Sequence, residues 1–207
     1  MEEKTNMTAE RSLEIIRESI ERSQRTIAKN SGLPLIWWGA LVVFFALLIE
    51  YLWKNHGGPA WNFLWFVMWV IGYIGNRVLD KKNETVPTTF VGKTIGHVWN
   101  TFGIFCGGIA LILCLIGFCV MPGKCEIPGS LVYFNPTSII SLCFGIASTI
   151  TGFVLENRTI QICGLIAGFG GFFVAMYFPM QQMYVMAVVA LVGLLIPGLI
   201  VHFQSKK

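Results

Sequence analysis

An all-α membrane protein with six membrane-crossing helices is the fold class this sequence predicts. Three observations carry the prediction. Runs of about 20 apolar residues, the length that crosses a bilayer core of roughly 30 Å at about 1.5 Å per residue, recur from Leu35 to Phe203. Charged residues make up only 13% of the 207 residues, against 55% hydrophobic, and mean hydropathy is +0.66, where soluble domains carry about 25% charged residues. Finally, the lysines and arginines fall almost wholly in every second gap between the apolar runs.

The first element is polar. Residues 1–32 are expected to form a cytoplasmic amphipathic helix, with Leu13, Ile16, Ile20 and Ile27 on a stripe roughly 60° wide at about 100° per residue. Acidic and basic residues balance along it, which disfavours an anionic-lipid binder, whose polar face is strongly basic. Thr8 is a candidate cap, and Glu18 with Arg22 and Glu21 with Arg25 are spaced for i,i+4 pairs. Gly32, followed by Pro34, is expected to stop the helix. Docking on the protein's own membrane bundle, capture of a partner or self-association, and lipid binding are the three readings of this stripe. The segment is not a cleavable signal peptide, which places a short positive region directly before an apolar core.

The transmembrane domain, residues 33–207, divides into spans near 35–53, 60–79, 98–120, 136–155, 159–178 and 183–203. Pro34 and Pro136 suit first-turn positions, where a missing amide hydrogen costs little, and Asn135 suits the cap before the fourth span. Pro197 lies inside the last span, which neighbouring groups must accommodate by satisfying the carbonyl it frees. Of the basic residues only Lys54 and Lys124 fall in the alternate gaps. The positive-inside rule therefore puts both termini in the cytoplasm of a bacterial inner membrane.

Glycines recur near the cytoplasmic ends of successive spans: Gly39 and Gly72, Gly107 and Gly152, Gly164 and Gly198. This spacing suggests three hairpin repeats. Lipid chains are as apolar as leucine and give helices little hydrophobic reason to associate, so small residues that permit close approach mark contact faces. Gly103 with Gly107, and Gly164 with Gly168, make four-residue strips of this kind.

Candidate chemistry is sparse. Glu50, Asp80, His97, Glu156 and His202 all fall near span ends, and no charged residue sits at mid-bilayer depth, where ionisable groups mark ion paths. His97, Asn100, Asn76, Glu156 and Arg158 share a depth at which a polar vestibule could form. The six cysteines lack zinc spacing. Cys119 and Cys125 flank a Pro122-Gly123 turn on the outer side, where oxidation could join them. Gly92-Lys93-Thr94 copies the end of a phosphate loop, but Pro87 stands where the first glycine is required. Trp61, Trp65 and Trp69 form an interfacial stripe that needs no ligand. No cofactor, no metal and no nucleic-acid partner is expected, and no spacing of acid, base and nucleophile suggests an enzyme.

The run Ser12-Leu13-Glu14-Ile15-Ile16-Arg17-Glu18-Ser19-Ile20, with Asn30-Ser31-Gly32 and Trp37-Trp38-Gly39 after it, resembles small multi-spanning membrane proteins of unknown function from Bacteroidota. The resemblance implies an inner-membrane location and brings no catalytic or binding residues with it. The expected function is a non-enzymatic association or regulatory component, homo-oligomeric or bound to a cytosolic or membrane partner through Leu13, Ile16, Ile20 and Ile27. The alternative is a small transporter or channel with a cavity between the hairpins.

Overall fold

The structure, a computed structural model, describes residues 9–57, 59–82, 90–120 and 135–204. All regular elements among them are helices: α1 (Ala9–Asn30), α2 (Gly32–His56), α3 (Leu64–Lys82) behind a 3₁₀ turn at Pro59–Phe63, α4 (Phe90–Val120) and α5 (Pro136–Val154). Two more follow, α6 (Arg158–Tyr177) and α7 (Pro179–Phe203), each with one wide π-turn, at Ile166–Gly170 and Leu191–Leu195. Five of these helices, α2, α4, α5, α6 and α7, are long and apolar enough to cross a membrane. The remaining candidate span, near 60–79, is α3: its 19 residues end in Arg77, Asp80, Lys81 and Lys82, too many charges for one apolar window.

Local signals place several boundaries where the residue chemistry puts them. Asn135 caps α5 by accepting from Ser138 N at 3.3 Å, with Pro136 in the first turn. Gly32 follows a single bend at Ser31 and opens α2, so the chain turns there without a loop. Glu21 pairs with Arg17 at 3.1 Å and neither Glu18 with Arg22 nor Glu21 with Arg25 is an ion pair among the described residues. Thr8 lies outside them. The third span starts earlier than expected: α4 begins at Phe90, and Val91 is buried with Leu155, Ile160 and Val201.

The helices meet where side chains are smallest. Residue α5 faces are built from Thr137, Ser138, Ser141, Gly145, Ala147, Ser148, Thr151 and Gly152, all buried. Gly145 lies against Gly168 of α6, so close that a methyl group on Gly168 would stand 2.8 Å from the Gly145 Cα. Gly164 packs on Thr149 and Gly152 on Gln161, making α5 and α6 an antiparallel pair. A second antiparallel pair joins α2 to α7, with Gly32 at His202, Gly39 at Leu195 and Gly198 at Ile36. Gly72 and Gly75 of α3 receive the rings of Trp38 and Trp37 from α2, and Trp37 Nε1 donates to Gly72 O at 3.3 Å.

These contacts run differently from the repeat reading. Of the paired glycines, Gly72 alone meets its expected partner helix; Gly39, Gly152, Gly164 and Gly198 join neighbouring hairpins to each other, and a methyl group added at Gly107 would meet nothing within 4 Å among the described residues. Gly103 receives the Trp69 ring of α3. Helix α4 reaches the core through rings, with Trp99 and Phe102 packed edge-on against Phe144 of α5.

Proline 197 is fully buried and offers no amide hydrogen to the carbonyl four residues back, that of Gly193. Ser148 Oγ of α5 donates to that oxygen at 3.4 Å, a long bond that supplies a donor where the proline has none. Replacing Ser148 by Ala should destabilise the bundle by about 1–2 kcal/mol, measured by thermal or denaturant unfolding in detergent. The loss should shrink in a Pro197→Ala background, where a backbone donor is restored; an equal loss in both backgrounds would contradict this pairing.

Candidate functional site

Two ends of the bundle can be told apart. The proximal end carries Gly32, Leu155 and Val201; the distal end carries Glu50 and Tyr184. Helix α1 lies at the proximal end. Its last turns are docked: Ile27 packs beside Val91, Leu155, Ile160 and Val201, and Gln24 Nε2 donates to Val154 O at 3.1 Å. Val154 belongs to the last turn of α5, at the height of the first turns of α2, so α1 turns back across the helix ends.

The other end of the stripe is bare. Leu13 is 67% exposed, Ile16 55% and Ile20 40%, while Ile27, on the same face at about 100° per residue, is anchored. The structure therefore divides the four predicted contact residues, using one to hold the helix and leaving three open. Isolated helices of this length are marginal in water; the docked half supplies packing to the free half. Ile15 is also 49% exposed but points away from the stripe.

The residues expected to form a vestibule are mostly at the surface. His97, Asn100, Glu156 and Arg158 are exposed and Asn76 is half-buried, and among the described residues no hydrogen bond or ion pair joins any two of them. Asn76 Oδ1 is a buried oxygen without a partner. Glu156 has a backbone role: its φ of 51° is the left-handed conformation that ends α5, with Glu156 N bonded to Phe153 O at 3.1 Å and Asn157 N to Gly152 O at 2.9 Å. Asn157 then caps α6 by accepting from Thr159 N and Ile160 N. One three-residue corner closes one helix and opens the next.

Glu50 stands out among polar residues because it is only 4% exposed within an apolar helix. Lys54 meets it at 3.2 Å and also donates to the Tyr184 hydroxyl of α7 at 3.1 Å. Sequence position marked Glu50 as a span-end residue; the i,i+4 lysine was the signal that it is paired inside. Between α5 and α6 an open groove of about 220 Å³ is lined by Ile146, Ile150, Phe153, Leu165 and Phe169 over Gly145, Gly164 and Gly168, with Thr149 contributing the one hydroxyl of its lining.

Cys106, Cys143 and Cys163 are free and half-buried. The candidate bond between Cys119 and Cys125 lies outside the described residues and side chains. No group of three His, Cys, Asp or Glu that could hold a metal occurs among the described residues. No protein-family model, curated protein or solved structure matches this chain.

Because an L-residue at φ 51° is strained relative to glycine, Glu156→Gly should leave stability unchanged or raise it by up to about 1 kcal/mol. Asn157→Ala, which removes the α6 cap, should lower it by about 1 kcal/mol. Unfolding midpoints in detergent check both, and a strongly destabilised Glu156→Gly protein would assign the Glu156 side chain a role beyond the turn.

Proposed function

We propose that this protein is a six-span inner-membrane protein that acts by association, without catalysis, through the open half of α1. The observation that carries the reading is the exposure of Leu13, Ile16 and Ile20 on a helix whose other end, at Ile27, is fixed to the bundle. A narrow apolar stripe held rigidly beside the membrane surface is a helix-docking face; contiguous exposed apolar side chains rimmed by polar ones mark interaction sites.

For α3 as the sixth span, the support is its antiparallel packing on α2 through Trp37 and Trp38, with the charged end at the proximal side, where arginine and lysine flank a span. Consecutive spans then run as three up-and-down pairs with both termini cytoplasmic. Arg77, Arg158 and the basic residues of α1 all fall on that side.

Tagged protein captured from native membranes should retain its partner, and the Ile16→Asp/Ile20→Asp double variant should lose it while inserting normally. Undiminished capture by that variant would remove the reading. For the topology, an impermeant thiol reagent applied to intact, reduced spheroplasts should label Cys125. Labelling confined to inverted vesicles would reverse the assigned sides.

A further inference from the structure

No Asp, Glu, Lys or Arg occurs between Arg158 and Lys206, so α6 beyond its first residue, α7 and the turn that joins them are uncharged throughout. By contrast, Lys54 lies in the last turn of α2, and Lys124 and Glu126 follow α4. The α6–α7 turn is apolar as well as uncharged. Tyr177 is 81% exposed, Phe178 51% and Met180 90%, and Tyr177 continues an exposed strip that runs along α6 through Phe169 and Phe173. Contiguous exposed apolar surface of this kind marks a contact with protein or membrane.

Two features of the turn favour lipid over water. Its backbone is nearly self-contained: Phe178 N donates to Val174 O at 3.0 Å, Gln181 N donates to Phe178 O at 3.0 Å, and Pro179 has no amide hydrogen to satisfy. From α5, Asn135 Nδ2 donates to Ala175 O at 2.6 Å. Such pairing is what a membrane demands of backbone that leaves a helix. The second feature is depth. Helix α6 has 20 residues, about 30 Å at about 1.5 Å per residue, which matches a hydrocarbon core of roughly 30 Å. A helix of that length starting at Arg158 brings Tyr177 to the distal edge of the hydrocarbon, short of the outer limit of the headgroups.

Resting on α6 and α7 as membrane spans, part of the topology proposed above, we propose that their turn is a lipid anchor. Tyr177, Phe178 and Met180 insert at the boundary between headgroups and acyl chains of the distal leaflet, so no aqueous loop separates the two spans. A ring with one polar tip, such as that of Tyr177, suits this zone. The neutral turn gives up no charge hydration there, whereas a charged residue would resist the same depth. A protein on the distal side is the competing occupant. The unbroken strip from Phe169 to Tyr177 favours lipid, because it joins the turn to the surface that α6 presents to the bilayer.

The test uses the full chain in phosphatidylcholine nanodiscs, with a genetically encoded, environment-sensitive fluorescent amino acid in place of Met180 and, in separate samples, of Tyr177, Phe169 or Glu18. Phe169 marks the middle of α6, and Glu18 is exposed on α1. Iodide in the buffer should quench the probes at Met180 and Tyr177 severalfold less than the probe at Glu18. A doxyl group near the top of the acyl chain should quench them more strongly than it quenches the probe at Glu18. Iodide quenching at either turn site equal to that at Glu18 overturns the inference. Shielding of the turn from both quenchers also overturns it, and would assign the turn to a contact with a second copy. The Phe169 site separates the two claims. If lipid quenches it while the turn is open to iodide, the span stands and the anchor falls; if the Phe169 site is itself open to iodide, the membrane path of α6 fails.

Discussion

Close approach of helix backbones at small residues is the constraint on which this bundle depends. In lipid, a leucine gains little by leaving hydrocarbon for another leucine, so packing and hydrogen bonding must hold helices together. Helix α5 meets that requirement with a face of glycine, alanine, serine and threonine. Gly145 against Gly168 brings α5 and α6 together, and the same face supplies the Ser148 hydroxyl that answers the carbonyl freed by Pro197. The hydroxyls that do not cross between helices turn back on their own: Ser141 bonds to Thr137 O at 2.7 Å and Thr151 to Ala147 O at 2.8 Å. Ser141, Ser148 and Thr151 thus stay satisfied where no water reaches them, whereas Thr149 Oγ1 of the same helix has no hydrogen-bond partner among the described residues.

The position of α1 follows from that core. Leu155, Ile160 and Val201 are held at one level by the α5–α6 corner and by α7, and they form the floor on which Ile27 rests. The Glu156 turn conformation and the Asn157 cap keep that corner to three residues. With Ile27 seated and Gln24 bonded to Val154 O, a stiff helix carries Leu13, Ile16 and Ile20 outward as one unit. The contact face proposed for α1 is in this way pre-organised, which reduces the ordering cost of binding.

Much of the architecture was legible from local chemistry. Asn135 before Pro136 announced a capped start, apolar run lengths announced five membrane-length helices, and the Leu13–Ile27 stripe announced the amphipathic helix. Partner choice was not legible. A glycine shows that one face of a helix is thin, but Gly39 and Gly198 do not reveal that α2 meets α7, because nothing in local sequence encodes which other thin face lies opposite. The early start of α4 was hidden because Lys93, Thr94 and His97 dilute the apolar pattern, although Val91 and Ile95 on the other side of that turn pack inward. The burial of Glu50 was hidden for the converse reason. Depth along a span says how far a carboxylate lies from water, and only the fold says that Glu50 is covered while the Lys54 paired with it reaches across to Tyr184.

The most direct test of glycine-mediated packing compares two chemically identical changes at two glycines. Gly145 lies against the backbone of Gly168, whereas a methyl group at Gly107 would have open space among the described residues. Thermal unfolding of the purified protein in one detergent should show Gly145→Ala destabilised by about 1–3 kcal/mol, the usual cost of overfilling a close contact. Gly107→Ala should be neutral or slightly stabilised, since alanine is the better helix former. Equal behaviour of the two variants would contradict the account.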